Sequence, residues 1–420
     1  LKTVQAMSRI ALTLLLQALW LGTCLSFSPI PVTSRKVPSS SSSSLHATSS
    51  TTAAATLPNI NSQLLDFNGH KYYTEVTKPP QEKNSLFSPK SNKPDVILIH
   101  GFGCSTVYWR ETTKYLTNAG YTVHALDLLG QGKSAKPGRE DGVTYSIDLW
   151  AALVDSYASS QIRGDNGIVV MGNSLGSNVA LAAATGDFYT LLGETTPATT
   201  TPYIASKIKG VGMYNCGVGM NSRNIIRDPS WNPIQRALLT FVFDTLDFLI
   251  FDNVPLLTYL LNDIVTKDLL KNALIGLYQC SPNPESRVDD ELVDAFYSPA
   301  KEAGSVQALN QIYTNNPGKT PMEFHKDNQQ LLSTLPIHLV WGDADNVTPV
   351  TGSVGQFYTA LANDADSNVS LNMIHSGHIP FDEIPECNEF MVQWLDNVVA
   401  AGSSSGSKQT SNFFQQIFGQ

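Results

Sequence analysis

Ile168-Val169-Val170-Met171-Gly172-Asn173-Ser174-Leu175-Gly176 is a short apolar run that ends in Gly-x-Ser-x-Gly, and an alanine-rich segment, residues 178–185, follows it. Apolar residues in an unbroken run, bounded by glycine, suit a strand buried on both faces; small residues after it suit a helix packed closely on a sheet. A sharp strand-to-helix turn forces its central residue into a strained backbone conformation, and flanking glycines avoid clashes with neighbouring backbone. The hydroxyl then projects from the end of the sheet beside a helix N-terminus, whose amides stabilise developing negative charge. Ser174 is the candidate nucleophile, and the backbone N–H of Leu175 is a candidate oxyanion donor.

The strand-then-helix rhythm extends both ways. Residues 95–99, 121–126, 210–214, 337–341 and 369–374 are further apolar strands, and residues 108–118 and 146–160 read as helices. Residues 64–76 read as two strands around Asn68-Gly69, a two-residue hairpin signal, and a polar loop follows over 78–92. This order predicts an α/β fold, a doubly wound and mostly parallel sheet with helices on both faces. Its core is expected in residues 66–215 and 336–400. Residues 216–335 break the rhythm with apolar helical segments at 234–251, 256–264 and 269–278 and a polar piece at 281–290. Such an insertion is either a cap over the site or additional helical packing. The run of Phe241, Phe243, Leu246, Phe248, Leu249, Ile250 and Phe251 favours an apolar lid.

Three more positions complete the constellation. His100-Gly101-Phe102-Gly103 follows the strand at 95–99, where the backbone N–H of Phe102 would form the second half of an oxyanion hole. His100 is expected to support that loop rather than to transfer protons. Gly342-Asp343-Ala344-Asp345 offers two carboxylates after a late strand; the second, Asp345, is the expected acid, and Asp343 a solvated turn residue. His375-Ser376-Gly377-His378 offers two imidazoles after the last strand. His378, followed by Pro380, is the expected base, with His375 still in the strand end. An acid in this place holds the imidazole in its working tautomer and stabilises the imidazolium. Serine at the turn excludes the dehalogenase and epoxide-opening chemistries that require aspartate there. No metal-ligand spacing or phosphate loop is present, and Gly210-Val211-Gly212 lacks a dinucleotide fingerprint, so neither metal nor cofactor is expected.

Composition is globular, with 42% hydrophobic and 15% charged residues, and the net charge of -9 excludes a nucleic-acid partner held by a positive field. The front end differs in kind. Before Asp66 there is no acidic residue, whereas Lys2, Arg9, Arg35 and Lys36 are basic. Residues 10–25 form an apolar stretch shorter than the roughly 20 residues of a bilayer span and suited to a signal-peptide core. A Ser/Thr-rich segment including residues 39–44 follows Phe27 and Pro29, as in an organellar transit peptide. Residues 1–65 therefore read as a signal peptide plus transit peptide, largely disordered, directing the chain to a plastid (chloroplast). The other reading is a secretory signal followed by a linker. Residues 401–420 read as a flexible tail. Cysteines at 24, 104, 216, 280 and 387 show no paired spacing, and the last four suit buried thiols.

Residues 64–400 resemble the plastid α/β-hydrolase family that includes chlorophyll dephytylase and, more distantly, pheophytinase. The likeness rests on Leu126-Asp127-Leu128-Leu129-Gly130-Gln131-Gly132-Lys133-Ser134, Tyr145-Ser146-Ile147-Asp148-Leu149-Trp150 and the Ser174 turn. To these add Asn215-Cys216-Gly217-Val218-Gly219-Met220-Asn221, Val288-Asp289-Asp290-Glu291-Leu292-Val293 and Gly377-His378-Ile379-Pro380-Phe381-Asp382-Glu383. The resemblance implies an α/β-hydrolase fold and cofactor-free hydrolysis of an apolar ester, the phytyl ester of chlorophyll or pheophytin. It also allows a lipase or esterase acting on another acyl or galactolipid ester, or a ligand receptor that retains the triad. Two features depart from it. Ile379 and Phe381 stand where relatives usually have Cys and His, and the loop at 281–286 is longer. The Phe/Leu content of the insertion implies peripheral contact with a thylakoid membrane.

Overall fold

The computed structural model describes residues 59–80, 92–188, 201–228 and 231–403. Its strands are β1 (Asn59–Phe67), β2 (His70–Lys78), β3 (Asp95–Ile99), β4 (Val123–Leu126), β5 (Ile168–Ser174), β6 (Ile208–Cys216), β7 (Ile337–Gly342) and β8 (Val369–Ile374). They form one 8-stranded sheet in the order β1-β2-β4-β3-β5-β6-β7-β8. β1 and β2 make an antiparallel hairpin turning at Asn68 (φ 52°) and Gly69 (φ 84°), and β2 pairs antiparallel with β4. Every other pairing is parallel.

β1 begins inside the stretch 1–65 that the sequence assigns to targeting and disorder. As an edge strand it leaves Ile60 and Leu64 52% and 57% exposed, so its composition reads as polar linker; pairing with β2, not burial, makes it a strand. The targeting signals at 1–58 lie outside the described residues, as do residues 404–420 of the tail.

The core helices before the insertion are α1 (Arg110–Asn118), α2 (Ile147–Gln161) and α3 (Leu175–Thr185). Between β6 and β7 come α4 (Pro233–Leu246), α5 (Val254–Tyr259), α6 (Lys267–Leu277), α7 (Asp290–Ala300), α8 (Ser305–Thr314) and α9 (Pro321–Asp327). After β7 come α10 (Ser353–Ala362) and α11 (Asn388–Ser403), the last running past the expected boundary at 400. Alternate residues of β3 separate the two faces of the sheet. Ile97 and Ile99 belong to the buried cluster under α2 and α3, whereas Val96 and Leu98 belong to the cluster under α1 and α11.

The insertion departs from the expected lid in one respect. A capping box at Asn232 and Gln235 starts α4, with Pro233 in its first turn, and a π turn at Asp247–Phe251 extends it. Phe243, Ile250 and Phe251 are buried on the inner side, Ile250 and Phe251 packing with Leu257, Leu260 and Val306. Phe241, Phe248 and Leu249 face outward, 69%, 77% and 52% exposed. The phenylalanine-rich stretch therefore does not wall the site: its inner apolar side chains pack within the insertion and its outer ones are left over.

Leu274, Tyr278, Val288, Leu292 and Val293 of the insertion share a buried cluster with Val96 and Leu98 of β3, and polar groups add to that tie. Asp382, with a fully buried side chain, accepts from Arg110 Nε at 2.8 Å and Nη2 at 3.1 Å, and from the Tyr278 hydroxyl at 3.0 Å. Arg110 also pairs with Asp289 at 2.6 Å, so one guanidinium joins α1, the start of α7 and the segment after His378. Glu383 accepts from the backbone N–H groups of Cys280 and Ser281 on one oxygen and from Ser376 Oγ and the Gly377 N–H on the other, at 2.6–3.0 Å. Buried carboxylates are tolerated when each oxygen is so satisfied.

Candidate active site

The turn at Ser174 has the strained geometry its sequence predicts: φ is 52° and ψ -122°, with α3 starting at the next residue. Close approach explains the glycines. A Cβ on Gly172 would meet the Gly176 carbonyl oxygen at 2.2 Å, and one on Gly176 would meet the Ile99 carbonyl oxygen at 2.2 Å. Ser177 Oγ donates back to the Gly172 carbonyl at 3.0 Å and braces the turn.

Asp345 and His378 are brought together. His378 Nδ1 lies 2.9 Å from Asp345 Oδ2. The other carboxylate oxygen accepts from the backbone N–H groups of Val347 and Thr348 at 2.7 and 3.1 Å, and Oδ2 also accepts from Thr348 Oγ1 at 2.6 Å. Burial alone would raise the acid's pKa, but the His378 charge and the hydrogen bonds from His378, Asn215 and Thr348 outweigh it and bring it to about 2. Asp345 is thus held ionised, with His378 Nδ1 as donor and Nε2 left for chemistry. The two residues passed over at the sequence level pair with each other instead: His375 Nδ1 is 3.0 Å from Asp343 Oδ1, both at the surface, and β8 ends one residue before His375.

Ser174 and His378 line one cavity of about 490 Å³, and Phe102 and Leu175 line it too. That size lies within the roughly 300–1,000 Å³ of small-molecule sites. Leu175 opens α3, so its N–H is among those a helix leaves without an internal partner. In the neighbouring loop the Gly103 N–H is spent on Gln131 Oε1 at 2.6 Å. His100 is fully buried, donates from Nδ1 to the Gly101 carbonyl at 2.6 Å and accepts the Leu128 N–H on Nε2 at 3.0 Å. Burial lowers its pKa to about 4, against a weaker upward pull from the Gly101 carbonyl, so it is a neutral strut for the loop.

The cavity wall is mostly hydrocarbon. α6 contributes Leu270, Ala273, Leu274 and Leu277, and α7 contributes Phe296. Trp231 lines it just before α4, and Tyr313 lines it from α8, its ring edge-on to Phe102 at 5.1 Å. Ile379 also faces the cavity, whereas Phe381 lies beneath it, stacked on Trp109 at 4.3 Å. Of the residues that depart from the resembled family, Ile379 lines the cavity, and Phe381 and the loop at 281–286 do not. Among the described residues the cysteines are free thiols; Cys104, Cys216 and Cys387 are buried and Cys280 is half-buried. Among the described residues no cluster of His, Cys, Asp and Glu could hold a metal, and no helix is long and apolar enough to cross a membrane.

Sequence reasoning missed the residues that position this set. Asn173 donates to the Tyr214 carbonyl at 3.0 Å and to the His378 carbonyl at 3.2 Å, while its Oδ1 accepts from the Tyr108 hydroxyl. Asn215 and Thr348 contact Asp345 directly. Nothing local in the sequence marks Asn215; a fully buried asparagine at a strand end is a signal only once its neighbours are known.

Residues 96–389 match the model of the Alpha/beta hydrolase family. A human (lyso)-N-acylphosphatidylethanolamine lipase is 29% identical over 140 residues, 31% of this chain and 38% of that protein. A carboxylesterase of Bacillus subtilis is 33% identical over 111 residues, 26% of this chain and 40% of that protein. The chain thus matches about two fifths of the length of these relatives. Among solved structures, potato epoxide hydrolase I superposes with a TM-score of 0.54 at 15% identity, covering 81% of this chain and all of the other. That likeness concerns the fold alone; the strand-to-helix turn of this chain holds serine at position 174.

Proposed function

The chain belongs to the Alpha/beta hydrolase family, and on that premise we propose that it is a serine-nucleophile carboxylic ester hydrolase for a long apolar ester. The observation that carries this reading is the hydrogen bond from His378 Nδ1 to an ionised, buried Asp345 in the cavity that Ser174 lines. His378 Nε2 takes the proton of Ser174 as Oγ attacks the ester carbonyl, and the N–H groups of Phe102 and Leu175 receive the oxyanion. Collapse expels the alcohol, protonated by His378, and leaves an acyl-Ser174 ester. Water, deprotonated by the same imidazole, then releases the acid and restores the serine.

For the substrate we propose the phytyl ester of chlorophyll or pheophytin. The leucine-lined wall suits a long hydrocarbon, and the cap motifs support the choice. The second reading is an acyl-lipid ester, favoured by the lipase and carboxylesterase among the similar proteins. Incubation with chlorophyll a, with pheophytin a and with a panel of acyl-lipid esters separates them. Chlorophyllide or pheophorbide with phytol is the expected product. Turnover of acyl lipids alone removes the phytyl reading; single-turnover adduct formation with every ester points to the receptor.

We further propose a plastid setting, supported by the composition of the front end, and peripheral contact with a lipid surface through the outer face of α4. Ile234, Leu238, Phe241, Phe248 and Leu249 are 52–81% exposed and fall on one stripe, beginning three residues after the cavity-lining Trp231. Residues 233–264 carry Arg236 against Asp244, Asp247, Asp252 and Asp263, so the surface such a stripe fits is uncharged lipid rather than anionic.

A further inference from the structure

Asn215 stands at the end of β6 in a conformation that needs a reason. It is fully buried, its φ is 44°, and the only other non-glycine residues with positive φ among the described residues are Asn68 in the hairpin and Ser174. The β5–β6 register skips it: Asn173 pairs with Tyr214 and Ser174 with Cys216, so Asn215 is the extra residue of a bulge. A bulge re-aims a side chain. Here it turns Asn215 toward β7, where Oδ1 accepts the Gly342 N–H at 3.2 Å and Nδ2 donates to Asp345 Oδ2 and, at 3.4 Å, to the Gly377 carbonyl. Because a backbone N–H can only donate, Oδ1 must face Gly342 and Nδ2 must face the carboxylate, which fixes the amide's orientation. The Asn215 carbonyl also lies 3.2 Å from Thr348 Oγ1, the hydroxyl bound to the same carboxylate oxygen.

We infer that Asn215 is a positioning residue for the proposed hydrolysis: a bulged, left-handed asparagine that clamps Asp345 Oδ2 against His378 and limits the charge behind the imidazole to one carboxylate. This rests on the hydrolase reading above. The chemistry explains the residue type. Aspartate has the same shape and tolerates the same backbone, but it would set a second carboxylate oxygen against Asp345 Oδ2, and two such groups must share a proton. Alanine would lose the clamp and strain the backbone together. Glycine loses the clamp but accepts the positive φ, so it separates the two effects.

The test uses the full chain with Asn215→Gly, Asn215→Asp and Asn215→Ala, assayed on p-nitrophenyl butyrate from pH 5 to 9. Asn215→Gly is expected to fold, to lose about 10- to 100-fold in kcat with KM within about twofold, and to move the acid limb of the profile by roughly half a unit or more. Asn215→Asp is expected to add a second ionisation to the profile. The low-field proton resonance of His378 Nδ1 reads the clamp without turnover and is expected to move in both variants. An unchanged resonance, or kcat and profile within about twofold of wild type in Asn215→Gly, would overturn the inference and leave Asn215 a turn residue. Failure of the hydrolase reading looks different: wild type would turn over no ester and Ser174 would not react with a fluorophosphonate, while the resonance comparison would still judge the clamp.

Discussion

The side-chain amide of Asn173 donates to the main-chain carbonyl of His378 at 3.2 Å, so the residue before the candidate nucleophile holds the loop of the candidate base. The same amide binds the Tyr214 carbonyl, and its oxygen takes the buried Tyr108 hydroxyl. Replacing Asn173 by alanine leaves those buried groups unpaired. Unmade buried hydrogen bonds cost about 1–3 kcal/mol each, so urea denaturation should show a loss of at least that size. kcat should fall with it, because His378 is no longer fixed relative to Ser174.

Asp345→Asn tests the acid. The variant keeps the shape but presents an amide to His378 Nδ1 and favours the wrong tautomer. kcat should fall by roughly 10³–10⁴-fold, with KM little changed.

The same residue makes an acid-stability prediction. Its folded pKa of about 2 lies below the ordinary carboxyl value of 3.8, so it contributes stability that is fully present above pH 3.8 and is lost as pH falls toward 2. That contribution is on the order of 2 kcal/mol. Denaturation midpoints measured between pH 5 and 2 should fall less steeply in Asp345→Asn than in wild type.

Much of this was legible in the sequence, for identifiable reasons. Ser174, Asp345 and His378 each follow an apolar strand with glycine beside them, so their order along the chain already aligned them at one end of a parallel sheet. The hairpin was legible from Asn68-Gly69, although β1 was cut short because an edge strand has little burial to record in its composition. The supports were not legible. Asn215, Asn173 and Glu383 act through hydrogen bonds to residues between 6 and 205 positions away, and no local pattern marks such partners. The direction of the phenylalanines was hidden for a related reason. Composition shows that residues 234–251 are rich in apolar side chains, but only packing shows that Phe243 turns inward and Phe248 outward.

Glu383 makes a prediction about the insertion. Its two oxygens accept four donors, two from the turn after α6 and two from the segment leading to His378. Glu383→Gln puts an NH₂ group against donors and should free that turn. Limited proteolysis should cut between α6 and α7 faster than in wild type, with kcat reduced in parallel.

The outer face of α4 is separable from the site. Phe241→Ser and Phe248→Ser change side chains that are 69% and 77% exposed, so folding and turnover of a short soluble ester should stay within about twofold of wild type. Flotation with vesicles of uncharged galactolipid should decline in the double variant. Equal flotation of both proteins, or flotation only with anionic vesicles, would remove the lipid-facing role.

Everything about the mechanism depends on the hydroxyl at the strained turn. The most direct measurement is ester hydrolysis and fluorophosphonate labelling of wild type beside Ser174→Ala, with mass spectrometry to locate the adduct. Multiple turnover and a single adduct on Ser174 are expected in wild type, and neither in the variant. Hydrolysis that survives Ser174→Ala, or an adduct on another residue, would contradict that mechanism.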